Sequence, residues 1–399
     1  MKYITRTIWI LSLVSLFTDM ASEMLYPIMP IYLKHIGFSV VLIGVLEGIA
    51  EATAGLSKGY FGKLSDSTAK RLPFVRIGYG LSAISKPMMA VFVYPLWIFF
   101  ARTIDRLGKG IRTGARDALL SDETSITNKG KVFGFHRSMD TLGAVIGPAF
   151  ALAYLYLYPE DYKNLFYIAF VPGILAVGTL FILKEKKSDK ELRQKRPSFF
   201  SFLRYWKRSP LSYRKLTIGL LAFALFNSSD IFLLLKAKES GLDDTMVVGV
   251  YIFYNLVFAL SAFPAGIVAD KIGLKRMFMI GLGLFAIVYL GMSMSTNLYA
   301  FFGLFFLYGI YAAATEGISK AWISNVVDKK DTATAIGTYS GFQSICAMLA
   351  SSLVGFIWFR LGAMAALLAT SVATVAVILY FVAVPAPKKI LTSGPLPDK

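Results

Sequence analysis

Apolar runs of about 18 or more residues recur from one end of this chain to the other. As a helix, a run of that length crosses a hydrocarbon layer roughly 30 Å thick. Within lipid the backbone must satisfy its own hydrogen bonds, which leaves helices or closed barrels. The length of the runs selects helices. The balance of residues agrees: 56% of the 399 residues are hydrophobic and 17% are charged, against about 25% charged in a soluble domain. Some 12 spans are expected, at roughly 8–33, 38–61, 73–94, 96–119, 132–158, 163–183, 214–235, 245–269, 277–295, 298–322, 333–358 and 362–385. The chain therefore reads as an all-α membrane protein. The first run, from Ile8, reads as a span and not a cleavable signal. It carries Asp19, Glu23, Pro27 and Pro30 and lacks a small-residue cleavage site. A single cysteine, Cys346, excludes an intramolecular disulfide framework and a cysteine-based metal cluster. No metal is expected.

The net charge of +18 raises the question of nucleic acid. No soluble basic stretch is long enough for such a partner, whereas membrane proteins gather Lys and Arg in cytoplasmic loops. The segment 184–215 holds twelve of them (Lys184, Lys186, Lys187, Lys190, Arg193, Lys195, Arg196, Arg204, Lys207, Arg208, Arg214, Lys215) against Glu185, Asp189 and Glu191. The opposite turns "VYPLW" and "MSTNLY" carry no charge. This places the linker and, with an even span count, both termini in the cytoplasm of a cell-membrane protein. The expected organisation is a six-helix bundle at 1–184, a basic linker at 185–213, a second bundle at 214–385 and a tail at 386–399.

The two halves repeat. "GKLSD" (Gly62 to Asp66) and "GIVAD" (Gly266 to Asp270) follow the second and eighth spans at an offset of 204. Each is trailed by a basic pair, Lys70-Arg71 and Lys275-Arg276. Gly134 and Gly337 open the fifth and eleventh spans at nearly the same offset. A constant offset over that distance argues for two parallel six-helix repeats. On these residues the chain resembles the major facilitator superfamily over nearly its whole length. That family's signature between helices two and three is G-x-x-x-D-[RK]-x-G-[RK]-[RK]. Gly266, Asp270, Lys271, Gly273, Lys275 and Arg276 match it. Gly62, Asp66, Lys70 and Arg71 match in part, with Ser67 and Ala69 where basic and glycine residues are usual. The resemblance implies the superfamily's fold and a gate on the cytoplasmic side. There the aspartate pairs with basic residues or with a facing helix N-terminus.

One stretch runs against the apolar trend. "RTIDRLGKGIRTGARD", Arg102 to Asp117, lies directly after "PLWIFF". On a helix, Arg102, Asp105, Arg106, Lys109, Arg112 and Arg116 recur every three or four residues and form one stripe within about 120° of arc. Charged side chains inside a membrane are expected to face a water-filled cavity or each other. Candidate partners are Asp19 and Glu23 on the first span and Glu47 and Glu51 on the second, each pair spaced i, i+4. The superfamily resemblance places helices one and four on a central cavity, so Asp19, Glu23 and Arg106 are expected to meet. A static ion network that orients the helices is the alternative. A surface helix over 102–117 would break the repeat alignment. His136 and Asp140, on one face with Arg137, complete the set proposed for proton coupling, His136 because it titrates near neutral pH.

The stretch is also similar to the superfamily's fourth-helix motif R-x-x-Q-G, with Arg106 and Gly110 in place and Lys109 for glutamine. In that family the arginine is associated with proton coupling. Gly143, Gly147 and Pro148 resemble G-x-x-x-G-P of the drug:proton antiporter branch, with Ala151 for a following glycine. In the second half, Asn227, Asp230, Tyr254, Tyr311, Glu316 and Lys320 are candidates for the substrate cavity. Glu316 and Lys320 are spaced to pair i, i+4. Phe226, Tyr251, Tyr308 and Phe342 extend an aromatic half-wall suited to an amphiphilic solute.

The leading expectation is a monomeric secondary transporter of a small organic or amphiphilic solute, working by alternating access in contact with membrane lipids. No G-x-x-x-x-G-K-[ST] loop is present. No cofactor is therefore expected, and the proton gradient is the energy source. The fifth-helix motif favours efflux by proton antiport; the basic stripe favours uptake of an organic anion. A divalent-metal path conflicts with the neighbouring arginines. A non-transporting sensor or scramblase is the reading from a different class. An enzyme is not expected, since no H-E-x-x-H, no G-x-S-x-G and no nucleophile–base pair occurs.

Overall fold

The computed structural model describes residues 4–26, 28–29, 32–33, 36–38, 40–92, 94–185, 198–242 and 244–384, and within them all side chains but those of 40–48, 50–52, 201, 244, 245 and 298. The side chains of Glu47 and Glu51, the linker charges at 186–197 and the tail at 386–399 lie outside what is described. Among the described residues the chain is helical with no strands. The first half comprises α1 (Arg6–Leu25), α2 (Val40–Thr68), α3 (Leu72–Val91), α4 (Pro95–Asp122), α5 (Lys129–Leu157) and α6 (Tyr162–Leu180). The second comprises α7 (Leu211–Ala224), α8 (Ile231–Glu239), α9 (Asp244–Ile272), α10 (Leu274–Met294), α11 (Leu298–Asn325) and α12 (Thr332–Ala383).

Local chemistry sets the ends. The Thr5 hydroxyl accepts the Ile8 N–H at 3.3 Å and caps α1; the Asn297 side chain accepts the Tyr299 N–H at 2.8 Å and caps α11. Proline stands in the first turn of α3 and of α4, where its missing N–H costs nothing. α12 is two spans joined through a corner at Gly362, whose φ of 86° suits glycine.

The seventh span departs from expectation. A continuous helix over 214–235 is not what forms; α7 and α8 are separated by non-helical backbone at 227–229. Asn227, Ser228, Ser229 and Asp230 are short polar residues that compete for backbone hydrogen bonds. Here Ser229 N–H donates to Ser351 Oγ at 3.1 Å, across to α12. Counting α7 and α8 as one span and α12 as two gives twelve membrane-length segments, six in each half. Among the described residues, seven of the helical stretches are apolar enough to read as spans by composition alone. α4 is not among them, because the charged stripe lowers its hydropathy. A belt of exposed apolar side chains, such as Ile77, Leu96, Val372 and Leu379, would be an association hazard in water and is at home against lipid.

The halves meet along two seams, α2 against α12 and α5 against α9. These are the second and fifth spans of each half, exchanged about a pseudo-twofold axis. The seams are tightest at the end that carries the linker. The Gly62 Cα lies close to Gly337 across the α2–α12 seam. At the other seam, a Cβ on Gly130 would stand 2.7 Å from the Gly266 carbonyl oxygen, so only glycine permits that approach. The linker lies over the first seam: Phe202 covers Gly59, and the Tyr213 hydroxyl donates to the Ala335 carbonyl at 2.9 Å.

Candidate functional site

Between the halves lies a cavity of about 640 Å³. α1 contributes Asp19, Ser22, Glu23 and Tyr26; α2 contributes Lys58; α4 contributes Arg102, Asp105, Arg106, Lys109 and Arg112. The second half contributes Ser229 and Asp230 at the break between α7 and α8, Tyr251 of α9, and Gln343, Ser344 and Ser351 of α12. The stripe therefore turns inward. Among the described residues, five cations and four carboxylates line one chamber, a density that a lipid-facing helix would not tolerate.

Asp105 is closed on its own side. Lys86 Nζ of α3 reaches its Oδ1 at 2.8 Å, the Ser82 hydroxyl donates to the same oxygen at 2.6 Å, and Arg102 stands 3.9 Å from the other. The sequence reading missed Lys86; an isolated cation within an apolar span was its only signal. Both partners are buried. Lys86→Ala is expected to destabilise the protein by up to about 3–5 kcal/mol, the range for breaking one side of a buried ion pair, and toward the lower end because Arg102 remains. The melting temperature of detergent-solubilised protein should fall and recover largely when Asp105→Asn is added. An unchanged melting temperature in the single variant would contradict the assignment.

Asp19 and Glu23 are placed differently from what was expected. Asp19 lies within electrostatic reach of Lys109 and Arg112, and Glu23 of Lys109 and Arg106. Among the described residues, however, no ion pair closes on either carboxylate. Glu23 accepts instead from the Tyr251 hydroxyl of the other half at 3.1 Å. The reason is spatial: α1 packs along α5 and α6, and the cavity separates it from α4. Gly143 and Gly147 create that packing, since a Cβ on Gly147 would meet the Met20 carbonyl oxygen at 2.5 Å. Arg112 lies over the Tyr79 ring, 4.4 Å from its centroid, a cation–π contact.

Toward the linker end a second set of charges forms the floor. Arg137 bridges Asp140 at 2.5 Å and, across the seam, Glu316 at 2.6 Å. Arg116 pairs with Asp117 at 2.9 Å, and Lys320 of α11 reaches the other oxygen of Asp117 at 2.8 Å. The Ser15 hydroxyl donates to Asp140. His136 Nδ1 lies 3.4 Å from Ser12 Oγ; His136 is buried in the floor and does not line the cavity. The expected Glu316–Lys320 pair within α11 does not form. Each side chain instead meets an opposite charge of the first half, adding a second partner to Arg137 and to Asp117 across the seam. Asp117 and Arg137 were thus the unrecognised members of the floor.

The aspartates of the two repeats occupy matching positions. Asp66 Oδ2 accepts from Thr334 N and Thr334 Oγ1, each at 2.5 Å, at the start of α12, and its other oxygen takes Arg71. Asp270 accepts from Gly130 N at 2.8 Å and Lys131 N at 2.9 Å, at the start of α5. Gly130 and Thr334 are separated by the same offset as Asp66 and Asp270. Each carboxylate therefore sits on the positive end of a helix of the opposite half. Gly273 turns the chain at φ 100° between α9 and α10. Lys70, Lys271 and Arg276 are exposed, and Lys275 reaches the Val384 carbonyl at 2.7 Å.

The expected aromatic half-wall is largely absent from the cavity. Tyr251 lines it. Tyr254, Tyr308 and Tyr311 are buried in the core of the second half with Phe223, Phe285 and Phe305, where their ring area is removed from solvent. Tyr254 still touches the site through its hydroxyl, which donates to Asp230. Asn227 is not on the cavity wall, and Glu316 and Lys320 belong to the floor. Lys58 and Ser344, joined across the α2–α12 seam at 2.9 Å, are cavity residues that the sequence reading did not select.

The family model described as Major Facilitator Superfamily matches residues 11–254 and 235–397. An uncharacterized MFS-type transporter of Methanocaldococcus jannaschii is 31% identical over 363 residues, covering 90% of this chain and 89% of that protein. Multidrug resistance protein 2 of Bacillus subtilis is 21% identical over 282 residues, covering 68% and 69%. Among solved structures, the human organic anion transporter MFSD10 (TETRAN) superposes with a TM-score of 0.79 at 15% identity, over 94% of this chain and 99% of that one.

Proposed function

The chain belongs to the major facilitator superfamily, a family of transporters and not of enzymes, and on that premise we propose that it is a proton-coupled secondary active transporter. It moves a small organic or amphiphilic solute by alternating access, in the direction of efflux by proton antiport. The observation that carries this reading is the pair Asp19 and Glu23, on the wall of a cavity between two halves and within electrostatic reach of Lys109, Arg106 and Arg112, with no ion pair closing on either carboxylate among the described residues. Buried carboxylates favour a proton when desolvated and release it when a cation approaches. A movement of α1 relative to α4 within the first half, accompanying the rocking of the halves, thereby couples proton binding to which side the cavity faces.

With the linker in the cytoplasm, the seams at the linker end close the cytoplasmic side and the cavity faces outward. The inter-half contacts of Asp66, Asp270, Glu316 and Lys320 then form the inner gate. Support for efflux comes from the Gly143–Gly147–Pro148 motif and from the similarity to a protein named for multidrug resistance. The basic stripe of α4 favours a second reading, proton-coupled uptake of an organic anion. A substrate-dependent thermal-shift screen on purified protein is expected to yield stabilising ligands, which are then tested for flux in liposomes under an imposed pH gradient. Flux from the interior opposite to proton entry supports antiport. Ligands that bind and are never moved by any gradient would overturn transport.

A further inference from the structure

The linker turns helical over Phe199–Arg204 and Tyr205–Arg208. This strap lies across the α2–α12 seam at the linker end and touches both of its sides. On α2, the Phe202 ring fills the notch over Gly59, and the Phe199 ring packs on Tyr60 with centroids 5.0 Å apart. On α12, Trp206 meets Phe342 at 6.4 Å, and just after the strap the Tyr213 hydroxyl donates to the Ala335 carbonyl. Tyr60 is four residues from Leu56, and Phe342 is three from Ile345; Leu56 and Ile345 are both exposed apolar side chains of the belt described above. Each contact therefore shares a helix face with that belt. The strap begins about one helical turn beyond it, at the level of lipid headgroups.

The free face of the strap is apolar and basic together. Phe200, Leu203 and Leu211 are exposed, and among them stand Arg204, Lys207 and Arg208, exposed as well. Among the described residues no ion pair closes on these three cations. Asp66, Asp328 and Asp331 lie within electrostatic reach of Tyr205, but Asp66 is taken by Arg71 and Thr334, and the other two flank Lys329 and Lys330. Glu185 accepts from the Arg71 and Leu72 N–H groups at 2.9 and 2.8 Å. Residues 186–197 bring six cations and two acids, so they add positive charge wherever they lie.

We propose that the strap, Phe199 to Arg208, is a docking surface for anionic phospholipid headgroups, and that this lipid keeps the linker end closed. Aromatic and aliphatic side chains interleaved with Lys and Arg suit an element that lies in the plane of the membrane interface. Cations beside a span attract anionic lipid. A soluble anion would leave Phe200 and Leu203 in water. Opening the linker end parts α2 from α12, and the strap then keeps its contacts with one of them only. Lipid that binds the docked strap better than the released one therefore shifts the balance toward the closed seam. The lipid contact stands on the strap alone; its effect on the seam rests on the alternating-access reading above.

The test uses the full chain in phosphatidylcholine nanodiscs. Spin-labelled phosphatidylglycerol is expected to associate about fivefold more tightly than spin-labelled phosphatidylcholine, the effect of one engaged cation. Arg204→Gln/Lys207→Gln/Arg208→Gln should lose most of that preference without a fall in melting temperature, and 1 M salt should weaken it in the unmodified chain. On a Cys346→Ser background, a nitroxide at Leu203 should meet dissolved oxygen more often than a soluble nickel chelate, and one at the exposed Lys330 the reverse. A triple variant that keeps the full preference, or a Leu203 label as open to the chelate as the Lys330 label, overturns the assignment. The seam is read from labels at Thr127 and Lys330, in the unmodified chain and in Asp270→Asn. Adding phosphatidylglycerol to the nanodisc should raise the ratio of short to long distances severalfold. Phe202→Ala should keep the lipid preference and lose this shift. Glycerol phosphate added in solution should leave the distances unmoved; a shift equal to that of the lipid overturns the lipid surface as the source. A lipid preference that the triple variant loses, with no shift in distance in either chain, overturns the effect on the seam and leaves the lipid contact standing.

Discussion

Asp19→Asn and Glu23→Gln proteins in liposomes are expected to lose pH-gradient-driven flux down to the level of protein-free vesicles, while at least one still exchanges substrate at equal pH. The amides keep the shape and hydrogen-bonding capacity of the cavity wall and cannot carry a proton. Separation of a carboxylate from its cation favours protonation, and approach of the cation favours release. In the present state Glu23 accepts from the Tyr251 hydroxyl at 3.1 Å, with Lys109 and Arg106 in electrostatic reach across the cavity. In the proposed cycle, α1 and α4 approach within the first half as the outer side closes, and Arg106 then expels the proton. Arg106→Ala should accordingly bind substrate yet lose the dependence of transport on pH. The measurement is flux after an imposed pH jump in each direction, beside counterflow at equal pH. Its sign also separates antiport from symport. If both carboxylate variants stay fully gradient-driven, the proton travels elsewhere, with Glu47, Glu51 and Asp230 the next candidates.

Asp270→Asn and Asp66→Asn are expected to shift the protein toward the state open on the linker side. Asp270 takes two backbone N–H groups, at 2.8 and 2.9 Å, on the positive end of α5. Asp66 takes Thr334 twice and Arg71 once. Hydrogen bonds to a charged group contribute about 1.5–3 kcal/mol each, and asparagine keeps one acceptor. A net loss of about 1–2 kcal/mol moves the ratio of the two states by about 5–30-fold. Spin labels at the exposed positions Thr127 and Lys330, on a Cys346→Ser background, should report a new longer distance. An unchanged distribution in both variants removes the gate role.

How much of this was legible varied by element. The three-to-four spacing of Arg102 through Arg116 gave the charged face of α4, because a helix periodicity is local. The repeat of Gly62–Asp66 at Gly266–Asp270 gave the matching positions of the two aspartates, because two copies of one unit constrain each other. Partnership was not legible. Asp105 chooses Lys86 since α3 and α4 approach closely at Gly78 and Gly108, where a Cβ on Gly78 would lie 2.6 Å from the Gly108 carbonyl oxygen. Glu316 and Lys320 look like an intrahelical pair and instead bridge to Arg137 and Asp117, a choice made by the seam between halves. The break after α7 was visible only as four polar residues in a row. The inward burial of Tyr254, Tyr308 and Tyr311 could not be told from cavity lining, since both use the same residues at the same spacing.

Rocking of two halves about one site is tested most directly by measuring both ends of the molecule at once. Distances between labels at Thr127 and Lys330 report the linker end, and at Tyr156 and Phe359, both exposed, the opposite end. Across a pH series with and without a stabilising ligand, the first distance is expected to lengthen as the second shortens, with a common midpoint. Movement at one end alone, or no movement at either, would contradict alternating access and favour a sensor or scramblase built on the same fold.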